Sequence, residues 1–262
     1  ARSTCRLPNP EAGTRWVVGW PWGESMRFAS ISSKGVVSAE RELPLDVPLP
    51  LDLLSRAFMS AALSFDGTHL LLVWFEIQLA GFNFYVRETT ATFATRLTRA
   101  GYVLDEPLAL PPGDPSVATS GREFLVLVNE VATVIDATGA TLRTAASRKL
   151  FDWPALADVT WSGEEYLVAL RYHGGREHLG VWRLDGQGND LEPPAGIEAL
   201  RADTFVPPGI AASVPWNAVV AVAEGDAADG VRAVVYSERD MSPLPPAPQP
   251  PSVAEIASAV RD

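Results

Sequence analysis

Apolar positions recur along this chain in a fixed phrase, in which a small or turn residue is followed at constant offset by three apolar residues in a row. The copies are Gly13-Thr14-Arg15-Trp16-Val17-Val18, Gly67-Thr68-His69-Leu70-Leu71-Leu72, Gly121-Arg122-Glu123-Phe124-Leu125-Val126, Gly163-Glu164-Glu165-Tyr166-Leu167-Val168 and the degenerate Pro215-Trp216-Asn217-Ala218-Val219-Val220, at intervals of 54, 54, 42 and 52 residues. Self-similarity at this period marks propellers and solenoids, whose repeats bury their apolar faces against one another. An apolar run with almost no polar interruption predicts a strand covered on both faces.

Upstream of most copies lies a shorter run of small and apolar residues: Ser60-Ala61-Ala62-Leu63, Ser116-Val117-Ala118-Thr119, Asp158-Val159-Thr160-Trp161 and Ile210-Ala211-Ala212-Ser213. Small residues suit strands crowded near an axis. The joints Phe65-Asp66-Gly67, Ser120-Gly121 and Ser162-Gly163 carry hairpin chemistry, because Gly and Asp tolerate positive φ. Downstream, alternating strands such as Met26–Ile31 and Leu179–Leu184 lead to second tips at Lys34-Gly35, Ala100-Gly101, Thr138-Gly139 and Gln187-Gly188. Weaker strands follow, including Val36–Glu40 and Tyr102–Leu104. Each repeat thus predicts four short antiparallel strands, and the chain an all-β, five-bladed β-propeller over residues 1–242. The proline run after Ser242 is a poor outer strand, so Thr4–Leu7 are expected to complete the last blade.

Residues 243–262 read as a Pro-rich linker and a short helix opened by Ser252, with Glu255 at the capping-box offset. This segment is a candidate for docking onto another domain.

Four of the five phrases, with a Gly-tipped turn further on, resemble blades of secreted bacterial β-propeller repeat proteins. The strongest copy is Val159–Val168, and the resemblance spans residues 8–244. Ser64-Phe65-Asp66-Gly67-Thr68 is similar to the Ser-Pro-Asp-Gly turn of TolB-type blades, with Phe65 in place of the proline. Repeats of this kind are scaffolds for unrelated sites, so the resemblance speaks to fold and leaves function to the residues.

Composition narrows the function classes. A net charge of −11 and a pI near 4.8, with scattered Lys and Arg, argue against a phosphate-backbone partner. No run of about 18 apolar residues is present to span a bilayer. Cys5, the one cysteine, cannot form an intrachain disulfide or a cysteine-cluster metal site. Acidity, two lysines (Lys34 and Lys149), and abundant Trp and Pro fit an exported bacterial protein.

No Gly-x-Ser-x-Gly elbow, dinucleotide fingerprint or phosphate loop occurs, so no cofactor is expected. His173 and His178 flank a polar hairpin tip, and His69 precedes a buried strand; no metal is expected on them. The first reading is a non-catalytic exported propeller that binds a protein or glycan, or serves as a scaffold, with Trp20, Trp22, Phe82 and Tyr85 as contacts near loops. Trp16, Trp161 and Trp182 fall on the repeat's own apolar positions and read as core. The alternative is a glycoside hydrolase. Five-bladed propellers of the arabinanase type gather carboxylates from the inner strands of different blades in one pocket, and the acids nearest those strands here are Glu11, Asp114 and Asp158.

Overall fold

The computed structural model describes residues 3–7, 15–22, 25–32, 34–43, 53–82, 85–150, 157–173, 177–201, 209–213, 218–224 and 231–237. The first sheet holds β1 (Ser3–Leu7), β2 (Arg15–Trp22), β3 (Ser25–Ser32) and β4 (Arg41–Leu43). The second holds β5 (Leu53–Phe65), β6 (Leu70–Phe82), β7 (Tyr85–Leu97) and β8 (Leu108–Leu110). The third holds β9 (Pro115–Thr119), β10 (Glu123–Val128), β11 (Val131–Asp136) and β12 (Arg143–Lys149), and the fourth β13 (Ala157–Trp161), β14 (Tyr166–His173), β15 (Glu177–Leu184) and β16 (Asp190–Arg201). In the fifth, β17 (Gly209–Ser213), β18 (Ala218–Glu224) and β19 (Val231–Ser237) are described. Every pairing is antiparallel between consecutive strands. The inner strands β1, β5, β9, β13 and β17 stand side by side in that order, which is the arrangement of a five-bladed β-propeller.

The repeated phrase forms the second strand of each blade, and its unbroken apolar run has a direct cause. Successive residues of a strand point to opposite faces, and here both faces meet another blade. Leu70, Leu72 and Trp74 pack with Val17, Met26 and Phe28 of the first blade. Leu71 and Val73, between them, pack with Phe124, Val126 and Val128 of the third. Leu125 and Leu127 then turn to Val159, Tyr166 and Val168 of the fourth. The core is therefore a series of inter-blade layers, and removing a buried Leu from one would cost about 2–5 kcal/mol.

The small-residue runs form the innermost strands, as their composition predicts. One expectation fails: Thr4–Leu7 belong to the first blade, where β1 pairs with β2, and do not complete the last. The first copy of the phrase has no small-residue run just upstream, and β1 fills that vacancy from across residues 8–14. The outer strands also shift. Val37 and Val103 make only isolated bridges, to Ile31 and Leu97, and regular pairing resumes at β4 and β8. Pro193 and Pro194 sit in edge strand β16 where its register slips, the position proline tolerates. Residues 243–262, with the expected linker and helix, lie outside the described residues.

Candidate functional site at the axial mouth

Five inner-strand positions are equivalent in register, each opposite the residue six places after the opening residue of its phrase. They are Ser3 opposite Gly19, Ala62 opposite Val73, Ser116 opposite Leu127, Asp158 opposite Ala169 and Ile210 opposite Ala221. Asp158 is the one acid in this ring. Its Oδ1 accepts from Ser116 Oγ at 2.5 Å and from the Val159 backbone N–H at 2.9 Å. Its Oδ2 accepts from the Ile210 backbone N–H at 3.0 Å. One carboxylate thus joins the inner strands of the third, fourth and fifth blades. Burial raises its pKa, and the hydrogen bonds from Ser116, Ile210 and Val159 oppose that rise.

These contacts show that inner strands of neighbouring blades begin at the same end of the molecule. There the second blade departs from the others. β9, β13 and β17 start one residue before the ring level, at Pro115, Ala157 and Gly209, whereas β5 starts at Leu53, nine residues before Ala62. At about 3.3 Å per residue, the second sheet rises roughly 25 Å beyond the mouth. Its tip brings Phe82 and Tyr85 into register with each other. Trp20 and Trp22 lie past the ring level in β2, opposite Arg27 and Ser25. By backbone position, all four aromatic candidates belong to the Asp158 end. Trp20 is half-buried.

Of the remaining acid candidates, Asp114 is exposed immediately before β9, at the same end, and Glu11 lies outside the described residues. The structure adds an acid the sequence reading missed. Glu76, fully buried in the rising part of β6, accepts from the Trp74 indole N–H at 3.0 Å and from the Gln78 amide at 2.5 Å. Its signal was the alternation Trp74, Glu76, Gln78, one side chain every second residue on one face.

The two hairpin histidines are not opposite each other: His173 is in register with Glu177 and His178 with Tyr172. Among the described residues no group of three or more His, Cys, Asp or Glu is placed to hold a metal ion, and no helix is long and apolar enough to cross a membrane.

No family model and no curated protein matches the chain. Solved structures do. The GH43 protein BlXynB of Bacillus licheniformis superposes with a TM-score of 0.54 at 11% identity, over 96% of this chain and 57% of that one. An apocarotenoid oxygenase of Synechocystis gives 0.54 at 7% identity, over 92% and 59%. An α-L-arabinofuranosidase of Lactobacillus brevis gives 0.49 at 10% identity, over 95% of each chain. The chain spans less than two thirds of the length of the first two. At these identities the likeness is one of fold, a β-propeller.

Proposed function

We propose that the chain is an exported carbohydrate-binding propeller whose ligand sits at the axial mouth. The observation that carries this reading is backbone placement: Trp20 and Trp22 follow the ring level directly, at the end where Asp158 and Asp114 lie, and the adjacent sheet that ends in Phe82 and Tyr85 rises above the same end. Aromatic faces stacked on sugar rings, with a few polar groups to fix orientation, suffice for glycan recognition. The likeness to GH43 glycoside hydrolases supports a sugar ligand in preference to a protein one.

A glycoside hydrolase is the second reading, favoured by that same likeness and by a half-buried inner-strand carboxyl, Asp158, whose raised pKa suits a general acid. Its partner would be Asp114 or Glu11. Weighing against it, both oxygens of Asp158 are already engaged by three donors, and no second acid stands in the ring.

Isothermal titration with arabino- and xylo-oligosaccharides, beside release of chromophore from aryl arabinofuranosides and xylosides, separates the two. The binding reading expects saturable uptake, weakened about tenfold or more, near 1.4 kcal/mol, in Trp20→Ala and Trp22→Ala at unchanged thermal midpoint. Turnover that vanishes in Asp158→Asn would establish the hydrolase. Neither uptake nor turnover would overturn both.

A further inference from the structure

We infer that the molecule carries a second carbohydrate-binding cleft, at the opposite end of the propeller and between the third and fourth blades. Strand β13 runs from Asp158 at the axial mouth to Trp161, about 10 Å away at 3.3 Å per residue. Around Trp161 opens a cleft of about 720 Å³, lined also by Ser120, Arg122, Glu123, Gly186 and Gln187. That volume lies within the range of small-ligand sites.

The lining has the chemistry of sugar recognition and is held in place from behind. Trp161 is half-buried although its position in the repeat predicts a core residue. Tyr166 meets its ring edge-on, with centroids 4.7 Å apart, and so fixes the plane of the indole. The Tyr166 hydroxyl in turn donates to the Glu123 carbonyl at 3.1 Å and accepts from the Ser120 backbone N–H at 3.2 Å, tying the two blades that form the walls. Gln187 Nε2 donates to Glu123 Oε2 at 3.0 Å, which leaves the other Glu123 oxygen and the Gln187 carbonyl to accept from hydroxyls. Exposed Arg122 engages no side-chain partner among the described residues and brings donors to the same rim. Asp136 and Thr138, on the far wall, are occupied with each other and with Arg143. An oriented aromatic face beside a carboxylate, an amide and a guanidinium matches a ring with one apolar face and an edge of hydroxyls.

Gly186 supplies a selective block. A Cβ placed there meets nothing within 4 Å, so a larger side chain can enter the cleft without disturbing the fold. The test is the Trp161 indole N–H resonance, assigned by its loss in Trp161→Phe, titrated with xylotetraose, arabinotetraose and cellotetraose. At least one is expected to shift it, also in Trp20→Ala, where the axial reading is disabled. Gly186→Tyr should abolish the shift at unchanged thermal midpoint, and Arg122→Ala should weaken binding about tenfold, near 1.4 kcal/mol. No shift with any of the three up to about 10 mM, a range covering millimolar affinities, would overturn the inference. So would a shift that persists unchanged in both Gly186→Tyr and Arg122→Ala.

Discussion

Arg96 and Asp105 form a buried, two-pronged ion pair, Nε to Oδ2 at 2.6 Å and Nη2 to Oδ1 at 2.7 Å. The remaining donors of Arg96 reach the carbonyls of Ala137 (2.7 Å), Gly139 (2.9 Å) and Ala140 (2.9 Å) in the third blade. All the guanidinium donors are thereby used, and the second blade is tied to the turn of the next. The hydrogen bonding that Arg96 donates to Asp105 is the main cause that raises the Arg96 pKa.

Removing one partner leaves a buried charge and orphaned carbonyls. Arg96→Met is expected to lower unfolding free energy by about 3–5 kcal/mol, read from urea titration. Arg96→Lys should recover only part of this, because an ammonium cannot reproduce the planar fork.

Asp136 titrates in the acid range. Hydrogen bonds from Thr138, then from Arg143, hold its pKa at about 2. The unfolded value is about 3.9, so the folded state binds the proton less readily, and the stability Asp136 contributes is present above about pH 4 and lost as pH falls toward 2. Asp136→Asn should flatten this part of the denaturant-midpoint profile; an unchanged acid limb would refute the assignment.

Asp158 has the opposite sign. Its folded pKa is raised by burial, so its contribution is most favourable below the unfolded pKa and declines as pH rises through the folded one. Asp158→Asn should remove that decline. Asp158→Leu, which orphans the Ile210 N–H and the Ser116 hydroxyl, should cost about 1–3 kcal/mol for each buried group left unpaired.

Gly101 occupies a tip between the first and second blades with φ of 84°, and a Cβ there would collide with the Phe28 ring. Gly101→Ala therefore combines left-handed strain with overpacking, and a loss of about 2 kcal/mol or more is expected in thermal or urea unfolding.

The propeller was legible because its inter-blade layers demand apolar residues on both faces of one strand per repeat, and that demand survives as an unbroken run. Counting five residues back from Gly67, Gly121, Gly163 and Pro215 reaches Ala62, Ser116, Asp158 and Ile210, so most of the inner ring could be found in the sequence. Ser3 could not, because residues 8–12 intervene before the phrase. The partners of Asp158 were hidden for another reason: Ser116 and Ile210 are 42 and 52 residues away, and their meeting depends on neighbouring blades having the same register. Glu76 carries no repeat signal, because it is an acid inside an aromatic strand extension. The place of Trp161 in the repeat predicts core, yet it is half-buried, because the end of an inner strand is where a blade stops being covered.

Each described sheet is assembled from strands consecutive in the chain, β1 included. Hydrogen-bonded pairing is consequently local, and a partly synthesised chain can finish one sheet before the next emerges from the ribosome. What then accrues step by step is the side-chain layer between finished sheets, so that native-state amide exchange should resolve the molecule into successive cooperative units, as it does for linear repeat arrays.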